Sequence, residues 1–328
     1  GGGGGGGDLQ CDVWIEEHTL LIQRDTFANM FHNSEDFFNL FIALSVLKWK
    51  MSETRIIIAD LYPKGPFWDI FSKVFATNKY PPMTAWDLKL KYQNINPKNS
   101  KICYKKLAIG IYGPASPITV ASWRTPCLHT PLVRAYSDYV IRGLELQKYT
   151  HYAQDPAPRT IMITWMARRA SSQWPERRFC DTQKSFFKCE DWEHLNTRSL
   201  GRMVKNDQEI VSSLKELEGM KWRNGAIVKF RDVDFNLLTF EEQIKIDVTT
   251  DIMVGPHGAG LMHNIFMPDR AVLIELHIDN SAANQHFHNL AKWQGRKYMT
   301  KTMRNPINVK ELKSTVSEAV ESIDIHKY

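Results

Sequence analysis

The chain has 328 residues, a formal net charge of +6, and 43% hydrophobic and 24% charged residues, the composition of an ordinary folded protein long enough for about two domains of ~100–200 residues each. Lysine and arginine are scattered, without the dense basic stripe of a nucleic-acid binder, and no run of about 18 apolar residues is present to span a membrane. The five cysteines (Cys11, Cys103, Cys127, Cys180, Cys189) have no CxxC or Cys/His metal spacing, and no N-x-S/T acceptor for N-glycosylation occurs.

The leading glycine run is set aside; any signal peptide or membrane anchor would lie before it. Residues 19–23 read as a first strand. Residues 29–50 read as a long helix with a polar start and an apolar body, in which His32 and Asp36 are four apart and share a face near the N-terminus. Residues 55–60 (RIIIAD) form a second strand ending on Asp60, and 67–75 a helix. Residues 80–100, rich in Pro, Asn and Lys, read as loop, and 101–108 as a strand. Thr130-Pro131 opens a helix with proline in its first turn, running to about residue 146. The polar, proline-containing stretch 149–159 is a linker, dividing the chain into lobes at 8–150 and 151–328.

After the linker, 160–166 is a strand ending in Arg168-Arg169, and 170–200 is an irregular insertion. Residues 206–217 form a helix capped by Asn206 or Asp207, 226–230 a strand, and 239–246 a helix whose Thr239 and Glu242 fit a capping box. A helix near 282–294, a strand at 297–300 and a last helix at 309–322 complete the chain. Strands alternating with helices in both halves predict an α/β protein of two doubly wound, Rossmann-like domains facing each other across a cleft.

The stretch between 250 and 276, TDIMVGPHGAGLMHNIFMPDRAVLIEL, carries the chemistry. An apolar strand, a turn Gly255-Pro256-His257-Gly258-Ala259-Gly260, a short helix stopped by Pro268 and a second strand ending on Glu275 make one βαβ unit. The first N–H groups of such a helix have no internal partner, so the turn suits a phosphate. His257 can add a hydrogen bond or charge, and Glu275, at the carboxyl end of a strand, can accept from ribose hydroxyls. A turn that is merely tight, with a surface histidine, is the alternative.

The string HGAGL followed by an apolar strand ending in E-L resembles the signature of glycosyltransferase family sixty-one. FANMFHNSEDF, with a histidine and an aspartate four apart in the first long helix, and NLAKWQG at 289–295 resemble the plant-type core β1,2-xylosyltransferases of that family. Arg168 and the string RMVKN from Arg202 to Asn206 match basic positions carried by members, and the resemblance extends over roughly residues 12–325.

It implies an inverting enzyme of GT-B type, with two Rossmann-like lobes and a C-terminal helix packing back. The donor would be a UDP-sugar held mainly on the second lobe, and the acceptor a glycan or glycoprotein. UDP-xylose is the first choice of donor and UDP-N-acetylglucosamine the second. The implied place is the secretory lumen, the Golgi before the endoplasmic reticulum, with membrane attachment only through an N-terminal anchor. Disulfides Cys180–Cys189 and Cys103–Cys127 are then expected.

Inversion needs a base on the face opposite UDP and cations or amides at the leaving diphosphate. Asp36 is the expected base with His32 as its neighbour or understudy. Arg168, Arg202, His257 and the amides of Gly258, Ala259 and Gly260 are the expected diphosphate contacts, and Glu275 the ribose contact. Asp60 stands without a D-x-D partner, so no metal and no resident cofactor are assigned. A non-catalytic nucleotide-sugar or glycan-binding protein is the competing class. A nicotinamide-dependent oxidoreductase would want GxGxxG after the first strand.

Overall fold

The computed structural model describes residues 10–95, 100–119, 130–150, 159–169, 203–278 and 284–325. Two parallel sheets organise them. The first is built from β1 (Val13–Ile22), β2 (Thr54–Ile58), β3 (Met83–Thr84) and β4 (Ile102–Ile109), in the order β3-β2-β1-β4. The second is built from β5 (Thr160–Met166), β6 (Ile227–Val233), β7 (Ile252–Pro256), β8 (Val272–His277) and β9 (Lys297–Thr302), in the order β6-β5-β7-β8-β9. Every residue of β2, β7 and β8 is buried, as continuous apolar runs are when helices cover both faces of a parallel sheet.

These strand orders fix where ligands can go. In doubly wound sheets, crevices open at the carboxyl ends of the two strands between which the order reverses. In the first sheet those strands are β1 and β4, whose ends lead into the segments holding Asp25 and Gly113. In the second they are β5 and β7, whose ends lead to Arg168 and to the glycine turn.

Seven α-helices are described: α1 (Met30–Leu47), α2 (Ala85–Tyr92), α3 (Pro131–Gly143), α4 (Asp207–Lys215), α5 (Phe240–Asp247), α6 (His286–Trp293) and α7 (Val309–Ser322). The Asn29 side chain caps α1 by accepting from Phe31 N–H at 3.0 Å, and the Thr239/Glu242 capping box on α5 is formed. The C-terminal helix α7 packs on the second sheet's own face with α4, in a core that includes Ile161, Val254 and Ile274. A larger core joins the two lobes. Leu20, Ile56 and Phe38 belong to it from the first, and Phe240, Leu261, Ile265, Phe266 and Leu290 from the second. Each such fully buried aliphatic or aromatic side chain contributes about 1.5–3 kcal/mol.

Four local expectations change. The first strand starts at Val13, six positions before the expected 19, because its early residues pair with Ile102, Cys103 and Tyr104 of β4. The 80–100 stretch holds β3 and α2, the latter opened by a capping box between Thr84 and Asp87. The 67–75 helix is a single π-helical turn, Ile70–Val74. The helix after the glycine turn is 3₁₀, Ala259–Phe266.

The disulfide expectation is also corrected. Cys103 is bonded to Cys11, with Cα atoms 5.9 Å apart, instead of to Cys127. Adjacent pairing of β1 and β4, with Asp12 and Val13 N–H both donating to Lys101 O, brings the two cysteines together. Cys127, Cys180 and Cys189 lie outside the described residues. The cross-link closes a loop with a sequence separation of 92, which in the chain-entropy account corresponds to roughly 4–5 kcal/mol. Cys11→Ser should therefore lower the melting temperature under non-reducing conditions, and a Cys11–Cys103 linked peptide should appear in unreduced digests. Equal melting temperatures for variant and wild type would contradict the cross-link's role.

Candidate active site

The second lobe supplies a turn pressed close to its neighbours. A Cβ built on Gly255 would lie 2.8 Å from Met166 Cβ, and one on Gly260 2.9 Å from Met166 Cε. On Gly258 it would lie 2.5 Å from Arg168 Nη1. Glycine thus lets the Arg168 guanidinium rest directly on the turn. His257 N–H bonds Leu276 O at 2.9 Å, whereas Leu261 N–H is the first to bond back into the 3₁₀ helix, to Gly258 O. The amides of Gly258, Ala259 and Gly260 precede that ladder, so an anion beside Arg168 would meet helix-start N–H groups as well.

The neighbouring arginine has a different task. Arg169 bonds Asp207 at 2.6 Å and Asp232 at 2.9 Å, tying the end of β5 to α4 and β6. Arg202 lies outside the described residues.

His257 and Glu275 meet, and this corrects the role expected for Glu275. Its carboxyl has no solvent exposure. One oxygen is held by His257 Nδ1 in a short contact, and Tyr298 on β9 donates its hydroxyl to the other at 2.7 Å. Burial and the Glu275 charge push the Tyr298 phenol up, keeping it a donor. With both oxygens engaged inside the protein, Glu275 orients His257 instead of receiving ribose hydroxyls. His257 also stacks on His277 at 5.4 Å and meets Phe287 at 5.3 Å.

The first lobe supplies a carboxyl-histidine group at the start of α1. His32 does not pair with Asp36. Its Nδ1 lies 3.0 Å from both Glu35 Oε2 and Asp25 Oδ2. The ring leaves 39% of its side-chain surface exposed. The Glu35 hydrogen bond, followed by the charges of Glu35 and Asp25, outweighs burial and raises the imidazole pKa above its ordinary value. Thr119 donates to the other Glu35 oxygen in a short contact, and Tyr112 donates to Asp25 Oδ1 at 3.1 Å. Asp60 serves as a brace for this loop: Arg24 makes a two-pronged bond to it at 2.7 and 2.8 Å, wholly inside the protein.

Asp36 lies below this group. It is 3% exposed, its Oδ1 has no hydrogen-bond partner among the described residues, and a Cβ on Gly113 would meet that oxygen at 2.8 Å. Burial pushes its carboxyl up to about 8, so the expected base is mostly protonated at neutral pH. Desolvation without a paired cation defeats the ordinary acidity of the group.

The halves face each other at the lobe junction. Phe31 on α1 packs 4.5 Å from His286 and 6.1 Å, edge-on, from Phe287, both on α6. On one side of α1, Asn29, Met30, Phe67, Arg168, Phe235 and Gly258 line a cavity of about 220 Å³. Two sets of side chains, Asp25–His32–Glu35 and His257–Glu275–His277, have the atoms to hold a metal within 4.8 Å of one another. The hydrogen bonds just described account for the close approach of Asp25, His32 and Glu35 and of His257 and Glu275, and stacking on His257 brings in His277. Glu35, Asp25, Tyr298 and His286 were not singled out from sequence. Only Glu35 left a signal, at i+3 from His32 on the same helix.

Because the Asp36 pKa in the folded state exceeds the ordinary carboxyl value, the unfolded chain binds fewer protons at intermediate pH and stability falls as pH rises from about 4 toward about 8. Asp36→Asn removes that loss. The variant's melting temperature should gain on wild type between pH 4 and 8 and hold a constant offset above; a difference independent of pH would refute the assignment.

Comparison with known proteins finds glycosyltransferases. The Glycosyltransferase 61 family model matches residues 115–274. An EGF domain-specific O-linked N-acetylglucosamine transferase of Gallus gallus is 26% identical over 309 residues, covering 92% of this chain and 47% of its own length. The protein of the same name from Drosophila melanogaster is 26% identical over 306 residues, covering 90% and 47%. The chain thus spans about half the length of the curated relatives it matches. Among solved structures, E. coli heptosyltransferase WaaC with ADP aligns over 94% of this chain and 99% of its own, at 11% identity and a TM-score of 0.35. Along nine-tenths of its length the chain is thus similar to EGF domain-specific O-linked N-acetylglucosamine transferases, and its HGAGL turn, set at the reversal point of a parallel sheet, lies within the part of the chain that the Glycosyltransferase 61 family model matches.

Proposed function

We propose that the chain is the catalytic part of an inverting glycosyltransferase that moves a sugar from a UDP-sugar to a hydroxyl of a glycan or glycoprotein. The observation that carries this reading is the meeting, across one lobe junction, of an oriented imidazole and an anion-ready turn. Binding alone needs the turn; the His32–Glu35–Asp25 arrangement is what proton abstraction needs. In this scheme UDP leaves against Arg168, the Gly258–Gly260 amides and His257, with the nucleoside in the adjoining cavity. His32 takes the acceptor's proton as its Nδ1 side is held by Glu35 and Asp25, the logic by which a buried carboxyl orients a catalytic histidine elsewhere. Asp36, held protonated, sets the position of the Asp25 loop, whose N–H it accepts at 3.4 Å.

The names of the relatives favour N-acetylglucosamine as the transferred sugar, which moves it ahead of xylose; a β1,2-xylosyltransferase is the second reading of donor. The Cys11–Cys103 disulfide supports an oxidising compartment, and with it the secretory lumen, Golgi before endoplasmic reticulum. Arg168 and the turn amides can neutralise a diphosphate between them, so the scheme uses no metal and no resident cofactor.

His32→Gln should leave UDP affinity intact and cut donor turnover by ~10²–10⁴, the usual worth of a general base. Only neutral His32 can accept a proton, so kcat/KM should rise with pH through its raised pKa. Glu35→Gln, which removes the largest cause of that elevation, should move the acid limb to lower pH. If Asp36→Asn proves the more damaging variant and His32→Gln is nearly wild type, the base is Asp36.

UDP should raise the melting temperature in the presence of EDTA, since a ligand of the native state stabilises it. Gly258→Val should abolish that rise, its side chain displacing the Arg168 guanidinium. A UDP shift seen only with added Mn²⁺ would hand the diphosphate to a metal.

A further inference from the structure

His286, the first residue of α6, is the polar ring that stands between the two halves of the site. Its ring lies 4.5 Å from Phe31 of the first lobe. Phe31 in turn lies 5.5 Å from His32, and the next residue of α6, Phe287, lies 5.3 Å from His257. His286 therefore sits within reach of the charges of both groups: Glu35 and His32 on one side, Glu275 and His257 on the other. Its Nδ1 is shielded from solvent and finds no partner among the described residues. Nearby polar side chains are bonded closely: Glu35 to Thr119 and His32, Glu275 to His257 and Tyr298. A shielded polar atom left unpaired beside such groups is one a ligand can complete.

The position has a chemical meaning for the reaction proposed above, on which this inference rests. In an in-line displacement the anomeric carbon lies between the leaving phosphate and the attacking hydroxyl. The leaving phosphate belongs to the Gly258 turn and the attacking hydroxyl to His32. The sugar ring must lie between them, and the rings that link His32 to His257 are those of Phe31, His286 and Phe287. Phe31 offers only an apolar face. We propose that His286 contacts the transferred sugar, hydrogen-bonding one of its ring substituents, and that it helps to determine which sugar is transferred. Burial, the first cause acting on it, together with the neighbouring His257 and His32, lowers its pKa. The ring is thereby kept uncharged, suited to a hydroxyl or an acetamido group and not to a phosphate.

The test is calorimetric binding of UDP, UDP-N-acetylglucosamine and UDP-xylose to wild type, His286→Ala, His286→Asn and His286→Gln, with His32→Gln turnover measured in parallel. The expected result is UDP affinity within about twofold of wild type in all variants. Affinity for the preferred sugar nucleotide should fall about tenfold or more in His286→Ala, and the ratio between the two sugar nucleotides should change. Partial recovery is expected in Asn if Nδ1 makes the contact, or in Gln if the opposite nitrogen does. Unchanged sugar-nucleotide affinities, with turnover abolished by His32→Gln, would overturn the proposal while leaving the functional reading intact. Equal weakening of UDP and the sugar nucleotides would also overturn it, by showing that His286 acts through the diphosphate side. Wild type that binds none of the three ligands would remove the functional reading and this inference with it.

Discussion

The 3₁₀ helix from Ala259 to Phe266 runs inside the protein, so the carbonyls that end it cannot turn to water and must find donors there. Arg296 provides them. Its guanidinium donates to Asn264 O at 2.7 Å, to Pro268 O at 2.9 Å and, in a short contact, to Met267 O, while the residue is 5% exposed. Gly295, at a φ of 70°, makes the left-handed turn that sends Arg296 back under the helix. At mid-helix His263 meets Asp247 of α5 in a short, wholly buried contact. The glycine turn is the free end of an element pinned at its middle and far end, and its amides are accordingly fixed before any ligand arrives. Preorganised dipoles of that kind need not reorient as charge develops.

A comparable brace serves the opposite lobe. The buried Arg24–Asp60 pair, with further bonds from Arg24 to Lys64 O and Pro63 O, holds the chain as it leaves β1. Asp25 is the next residue. Its side chain and Glu35 flank His32, and its backbone N–H faces Asp36. Asp60, which stands in the sequence without a D-x-D partner, is thus a scaffold for the histidine's surroundings. Both halves of the site therefore rest on an arginine whose charge is consumed inside the fold.

Much of this was legible in the chain. The apolar runs gave the strands, capping signals gave α5, and HGAGL followed by an apolar strand gave the turn and its setting. The resemblance pointed to His32, Asp36, Arg168 and His257, and the structure brings Arg168 onto Gly258 and His257 onto Glu275. What stayed hidden depends on burial and on contacts between distant segments. Helical spacing puts Asp36 and Glu35 equally near His32, and only the packing of Gly113 and of Thr119, the latter 84 residues from Glu35, decides which of them stays bonded to the ring. Cys11 was invisible as the partner of Cys103 until strand pairing set them side by side. Tyr298 reads as an ordinary strand residue, and His286 as a helix-start polar residue, until the lobes come together.

The core shared by the lobes has a consequence for how the molecule holds together. Phe67 of the first lobe meets Phe240 of the second edge-on at 5.3 Å, and Tyr136 meets Phe266 at 6.5 Å. Two sheets joined by a thin polar hinge could open and close as independent bodies, and either could be expressed alone. Here a cut near residue 150 would leave each fragment with half of one apolar interior facing water. The lobes are separate in topology and single in cohesion, so heat should release them together in one cooperative step.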